Sequence, residues 1–407
     1  MNSASFNPRA SANLIYIGVA IASGGVALYT PIIVSETGLA YSGFWAASIL
    51  FGLNLGRLIG SWAGTRFPAI SDHPYSVTAN ILAEGLALYC MAYLKQAWAL
   101  ALFAFLAGLG SGMSFPGLKN YLLKLRDLDK TSLFSGLAMA IRLGVVVGYL
   151  AASWIPHQQL QLVFTIVFAT FVIYGLFMLK AMRQISAHQQ AQLEQTRQTH
   201  TPPSKVAPAK KLPLLFLLSN AVFWCFAVQP MIGYSLHIPK YTPEIPVSTP
   251  FWISGLMIIL LQLPLARLAK SPQQHMQFLT LGFICLCLSF SVMTLFGKSA
   301  TVVVLSAILL SFGQIFYGPS LDFLLANFAE KSGSEPGPIM SGQMFYQALG
   351  NMLGSLCGGF LFDLAQHWKI DWLNWLILSL ITLVMSVLSW HLIPQLYWRH
   401  LNSSARC

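Results

Sequence analysis

"GSGMSFPGLKNYLLKLRDLDKTSLFSGLAMAIRLGVVVGYLAAS", residues 110–153, has a counterpart further along the chain, "GQIFYGPSLDFLLANFAEKSGSEPGPIMSGQMFYQALGNMLGSLCGG", residues 313–359. Gly110 aligns with Gly313 and Pro116 with Pro319; past a short insertion, Ser135, Gly136, Gly144 and Gly148 align with Ser341, Gly342, Gly350 and Gly354. Each copy reads as two apolar helices joined by a polar loop. A unit that recurs in both halves of one chain marks a duplicated membrane bundle with its site between the repeats.

Composition supports that reading. The 407 residues are 56% hydrophobic and 9% charged, with mean hydropathy +0.64, whereas a soluble domain carries about 25% charged residues. The net charge of +11 does not indicate nucleic acid, because the basic residues sit between apolar runs rather than on one soluble face. A spanning helix needs about 20 apolar residues, and twelve runs qualify: 13–34, 44–64, 75–94, 98–122, 133–153, 160–180, 212–234, 249–268, 277–296, 300–326, 340–362 and 372–394. The first has no cleavage pattern and reads as a retained helix. Cys90, Cys225, Cys285, Cys287 and Cys357 lie inside the runs and Cys407 in the tail. We therefore expect no disulfide framework, metal site or cofactor.

Lys and Arg fix the expected orientation. With the N-terminus in the cytoplasm, cytoplasmic segments hold sixteen of them, and the opposite loops hold four, Lys95, Lys240, Lys298 and Lys369. Both termini are expected in the cytoplasm. The segment 181–211, rich in Gln, Pro and Lys and without an apolar face, reads as a flexible basic linker. It divides the chain into a six-helix bundle, 1–180, and a second bundle with a short tail, 212–407.

Three local patterns carry a family resemblance. "SWAGTRFP" follows the second run, with Ser61, Thr65, Arg66 and Pro68; the fifth run spaces Ala140, Gly144, Gly148, Tyr149, Ala152 and Ser153; the fourth places Ala104 four residues before Gly108. With the twelve runs and the repeat, these make the chain resemble the major facilitator superfamily over essentially its full length, with twelve-helix multidrug and siderophore exporters of the bacterial inner membrane as the nearest types. The resemblance implies an all-α integral membrane fold, twelve transmembrane helices in two pseudo-symmetric six-helix bundles. The chain departs from the family at informative places. Thr65, beside Arg66 in the gating loop, stands where the family has a latching Asp; Tyr149 replaces the Pro of the fifth-helix motif; Ala104 replaces an Arg associated with proton coupling. Small residues at four-residue spacing also serve plain close packing.

Charges inside the runs are few and informative. They are Arg57, Lys119, Arg142, Glu84 and Asp322. Arg57 and Arg142 lie roughly 10 and 13 Å deep at 1.5 Å per residue. The resemblance implies that helices one, two, four and five face a central cavity, where two guanidinium groups would favour an anion. The competing reading is internal pairing of Arg142 with Glu84 or Asp322. Lys119 either joins the site or snorkels. Asp322 is the candidate for proton coupling or cross-domain pairing with Arg57 or Lys119; Glu84, on a helix the resemblance places outside the cavity, is a candidate for pairing. Asn54, Gln314, Tyr317, Gln343 and Gln347 add polar groups at the same layer, with Gln229 and Asn351 near them, and Trp45, Phe115 and Phe316 aromatic surface.

No nucleotide-binding loop, Ser/His/Asp set or metal-ligand cluster is present in the sequence, so a pump or membrane enzyme is disfavoured. The expectation is a monomeric secondary transporter moving a small organic anion by alternating access, with lipid as its surroundings, H+ as a coupling ion and no nucleic-acid partner. Efflux of a carboxylate-type siderophore leads; a siderophore or nutrient importer, a proton-coupled multidrug exporter and a non-transporting sensor are the alternatives.

Overall fold

The computed structural model describes residues 7–67, 73–125, 128, 130–155, 159–196, 214–332 and 336–404, and the regular structure among them is entirely α-helical. In chain order the helices are α1 (Pro8–Ala40), α2 (Gly43–Arg66), α3 (Pro74–Met91), α4 (Ala97–Leu123), α5 (Lys130–Ala152), α6 (Leu160–Thr196), α7 (Leu214–Ala227), α8 (Gln229–Tyr241), α9 (Thr249–Ala266), α10 (Pro272–Phe296), α11 (Ala300–Ser332), α12 (Pro336–His367) and α13 (Leu373–Ser404). They make twelve spans, because α7 and α8 are two halves of one apolar stretch, Phe216–Tyr241. The break falls at Val228, followed by Gln229 and Pro230 at the start of α8. Proline has no N–H to continue the ladder, so the helix restarts there.

Several helices outrun the apolar stretches that announce them. α1 continues to Ala40, and α12 covers 336–367. α6 runs on to Thr196, through the first half of the segment expected to be a linker without an apolar face. Ala181, Met182 and Ile185 are buried there, and Ser186 meets the Tyr121 hydroxyl at 3.3 Å. This short stripe, at spacings of one and three residues, is enough to dock the extension. The rest of the linker lies outside the described residues.

The chain forms two compact units. Unit 1 comprises Met1–Ile33 and Ile49–Ser204; unit 2 comprises Val34–Ser48 and Lys205–Cys407. The tip of the α1–α2 hairpin thus packs as part of the second unit.

The aligned glycines do the same work in each unit. In unit 1, a Cβ on Gly144 or Gly148 of α5 would collide with the carbonyl oxygens of Ala20 or Gly24 on α1. In unit 2, a Cβ on Gly350 or Gly354 of α12 would collide with those of Ala221 or Cys225 on α7. Backbones this close tolerate only the smallest residues, and dispersion between them holds helices together where lipid offers no hydrophobic drive. α2 and α4 are closed by a denser version. A Cβ on Gly52 or Gly60 would stand 2.5 Å from the oxygen of Ala101 or Leu109, and one on Gly56, Gly108 or Gly112 would collide with that of Phe105, Leu53 or Arg57. α2 and α4 are therefore one body.

Candidate functional site

Inside unit 1 lies a cavity of about 410 Å³ whose wall takes residues from each of α1 to α6. Most of that wall is apolar, including Val19, Ile141 and Phe171, but two opposite charges open onto it, Arg57 of α2 and Glu84 of α3. Ser23, Ser61, Ser111 and Ser114 supply hydroxyls, and Phe115 and Tyr174 aromatic surface.

Glu84 is 4% exposed. Local packing explains how a carboxylate comes to sit there. A Cβ on Gly110 would stand 2.6 Å from the Asn80 oxygen, 3.0 Å from the Glu84 nitrogen and 3.1 Å from the Glu84 Cβ, so the glycine lets α4 ride against α3 at this level. Ser111, next in sequence, lines the same cavity as Glu84, and Arg57 is the cation whose field reaches the carboxylate. Tyr29 lies in the field of both charges and Tyr174 in that of Glu84. An ionised carboxylate buried in an apolar bundle is costly unless a cation and hydrogen bonds compensate it. Arg57 and Ser111 stand on the same cavity wall.

The sequence reading kept Glu84 outside the cavity of its central site and offered Arg142 as its pairing partner. Here Glu84 faces a cavity within its own bundle, and the cation beside it is Arg57. The other expected residues are distributed as follows. Arg142 is half-buried on α5 between Ile141 and Val145, which border the cavity. Lys119 places its Nζ 4.8 Å from the centroid of the Phe115 ring, a cation–π geometry. Asn54 is half-buried one turn before Arg57, Arg66 is exposed at the end of α2, and the Thr65 side chain lies outside the described residues.

In unit 2, Asp322 is exposed, and its Oδ1 accepts a 2.7 Å hydrogen bond from the Gln343 side chain. The Gln343 backbone oxygen accepts from Asn220 at 2.9 Å. Gln314 and Gln347 are half-buried on α11 and α12. Tyr317 departs from expectation. It is 0% exposed, its ring stacked on Phe223 at 3.6 Å and edge-on to Phe283. A phenol ring covered on both sides by its own unit packs the core and presents no surface to a solute. Gln229 is also structural; its amide donates to the oxygens of Cys225 at 3.0 Å and Gly354 at 2.8 Å, bracing the α7–α8 break against α12.

One polar residue escaped the sequence reading. Asp363, one position past the expected end of the eleventh run, accepts from the backbone N–H of Gly43 at 2.7 Å and of Phe44 at 2.8 Å. A signal was available: α2 has no acidic residue in its own first turn, so a carboxylate from elsewhere is the natural complement to its N-terminus.

Two repeats of six spans built on matched glycine contacts, the first of them enclosing a charged cavity within its own apolar bundle, define a multi-pass membrane carrier. Comparison with known proteins makes the class specific. The family model for the Major Facilitator Superfamily matches residues 10–348, and the chain belongs to that family. The protein named multidrug resistance protein MdtH of Photorhabdus laumondii is 26% identical over 349 residues, 84% of each chain. MdtH of Yersinia enterocolitica is 26% identical over 371 residues, 87% of this chain and 86% of the other. Among solved structures, the nucleoside transporter NupG superposes with TM-score 0.71 at 15% identity, covering 93% of this chain and 98% of that one. A POT family transporter solved with a thioalcohol-conjugated peptide gives 0.69 at 15% identity, covering 95% and 96%. These two likenesses establish the shared fold. The protein is a multi-pass membrane transporter of small molecules, and not an enzyme.

Proposed function

We propose that this chain exports small amphipathic organic molecules by alternating access, with the unit 1 cavity on the solute's path and Glu84 as the group that trades its proton or its Arg57 partner for a solute. The observation that carries the reading is the presence of Arg57 and Glu84, two opposite charges, on the wall of one cavity. A charged pair that is not buried in dry packing but faces open space is available to a ligand. The names of the relatives favour outward transport of chemically varied solutes. The excess of Lys and Arg in one set of loops favours both termini in the cytoplasm, and a proton gradient is the proposed driving force.

Organic-anion efflux, with a carboxylate siderophore as cargo, is the competing reading. Arg57 at the cavity favours it, but Glu84 on the same wall offsets the positive charge that would gather a polycarboxylate. The test uses everted membrane vesicles with and without a proton gradient, offered ethidium or labelled citrate in parallel. Proton-driven ethidium accumulation that falls about tenfold or more in Glu84→Gln, the order lost with one acid–base group, supports export through this cavity. Citrate flux that vanishes in Arg57→Ala, without ethidium movement, replaces it with the anion carrier. Flux of neither solute that responds to Glu84 or Arg57 removes both readings.

A further inference from the structure

The hairpin between α1 and α2 is built into unit 2 by backbone contact. A Cβ on Gly38 would collide with the Leu236 side chain of α8; one on Gly43 would stand 2.8 Å from the Gly359 oxygen and 2.9 Å from Asp363 Oδ1; one on Gly359 would collide with the Gly43 oxygen. On this close seat, the two oxygens of Asp363 take the first two N–H groups of α2, Oδ1 from Gly43 and Oδ2 from Phe44. These donors have no partner within their own helix, and a carboxylate there gains both charge-assisted hydrogen bonds and the favourable end of the helix dipole.

α2 begins in unit 2 and continues into unit 1 at Ile49. It is one uninterrupted helix from Gly43 to Arg66, without an internal proline. Arg57 follows Gly43 by roughly 21 Å of helix at 1.5 Å per residue. Its glycine column also carries α4, and with it Ser111, Ser114 and Phe115 of the cavity wall.

We propose that Asp363 is a releasable cap that positions Arg57: it fixes the start of α2 on unit 2, and α2 with α4 transmits its engagement or release to the unit 1 cavity as a rigid lever. The hairpin tip and α12 form one seat while the cap is made. When the cap breaks, two backbone donors and a carboxylate return to water, a change the polar groups themselves can tolerate because water replaces each bond. The cap is thus suited to being made and broken in a cycle, whereas the glycine column joining α2 to α4 offers no such exchange. Asp363 acts through the helix and touches no solute in this role.

The experiment uses the full-length protein in nanodiscs, wild type against Asp363→Asn and Asp363→Ala, and needs no substrate. Two readouts are taken. Backbone hydrogen exchange of a peptide covering residues 41–48 is expected to accelerate about tenfold in Asp363→Ala and less in Asp363→Asn, the scale expected from loss of a charged cap, with residues 97–123 unchanged. Modification of Arg57 by phenylglyoxal, followed by peptide mass spectrometry, is expected to change about threefold or more while Arg9 keeps its wild-type rate; a purely structural bond would not move this second readout. Unchanged exchange at 41–48 in both variants overturns the cap. Accelerated exchange with unaltered Arg57 labelling overturns the lever. Acceleration spread through all of unit 2 in both variants shows that Asp363 holds the fold, and also overturns the proposal. Because neither readout depends on transport, a failure of the export reading leaves this result standing.

Discussion

Glu84 and Leu286 occupy the same place in the two units. Gly110 of α4 approaches Asn80 and Glu84 of α3, and its aligned partner Gly313 of α11 approaches Gly282 and Leu286 of α10, with the same interval of four residues. In unit 1 that place holds a carboxylate that shares a cavity wall with Arg57 and Ser111; in unit 2 it holds a leucine that is 0% exposed. α9, the counterpart of α2, has no charged residue. Several hydroxyls in the core of unit 2 are bonded to one another. Tyr234 meets Ser306 at 2.7 Å, Ser306 meets Ser289 at 2.9 Å, and Thr280 meets Ser389 at 2.9 Å. The duplicated skeleton was kept while its polar content diverged. At this level one unit places a carboxylate against a cavity, and the other has a leucine among hydroxyl bonds that tie helices together.

The sharpest way to break this comparison is to exchange the two residues. Leu286→Glu puts a carboxylate into unit 2 where α9 offers no cation, and we expect it to cost about 3–5 kcal/mol, the range for an uncompensated buried charge. Thermal unfolding in detergent measures it; a cost under about 1 kcal/mol would mean the two cores are electrostatically alike. The reverse change, Glu84→Leu, strands Arg57 and should cost about 3 kcal/mol, more than half of it recovered in the Arg57→Leu, Glu84→Leu double variant. Strict additivity in that cycle would dissolve the pair. Next in size, Gly144→Ala and Gly350→Ala each push a methyl into a carbonyl of the unit's first helix, and about 1–3 kcal/mol apiece is expected. Values that agree within about 0.5 kcal/mol support an equivalent skeleton; a large disparity assigns the load to one unit.

The smallest effect concerns an end of unit 2 with no counterpart among the described contacts of unit 1. The Tyr241 hydroxyl donates to Asp371 Oδ1 at 2.6 Å, and Lys298 lies 3.4 Å from Oδ2. The Tyr241 bond acts most strongly, burial opposes it, and the Lys298 contact and Lys240 charge add to the lowering, so that the Asp371 carboxyl lies below its ordinary range. A lowered folded value means its stabilisation is complete above the unfolded carboxylate pKa of about 4 and disappears as pH falls through the lower folded value. The pair is solvent-exposed, so less than about 1 kcal/mol is at stake. Stability measured from neutral to acid pH should lose this component in Asp371→Asn; an identical pH profile would remove Asp371 from the account.

The fold was legible because close helix contacts restrict residue type. Gly144, Gly148, Gly350 and Gly354 must be small for their backbones to meet α1 and α7, and the requirement repeats every four residues. The cavity was less legible. The sequence shows that Glu84 and Arg57 are charges within apolar runs, but that both open onto one cavity depends on the packing of α3 against Gly110 of a third helix. Tyr317 was misread because a tyrosine two residues before a proline on an internal helix has the same sequence appearance whether its ring lines a cavity or stacks on Phe223. The α6 extension was hidden because Ala181, Met182 and Ile185 are diluted among glutamines. Asp363 fell just outside a boundary drawn by hydropathy, which marks where apolar residues stop and not where the helix does.

The brace at the α7–α8 break links two positions that lie far apart in sequence. A Cβ on Gly358 would collide with Oε1 of Gln229, the atom whose sister nitrogen spans the Cys225 and Gly354 carbonyls. Positions 229 and 358 therefore form a single heritable unit. In the descent of such chains, a side chain at 358 displaces the amide at 229 from its two carbonyls, so the brace and the glycine are kept or lost together. Aligned relatives should show the two positions changing together, a historical trace of a contact fixed by the space one hydrogen leaves open.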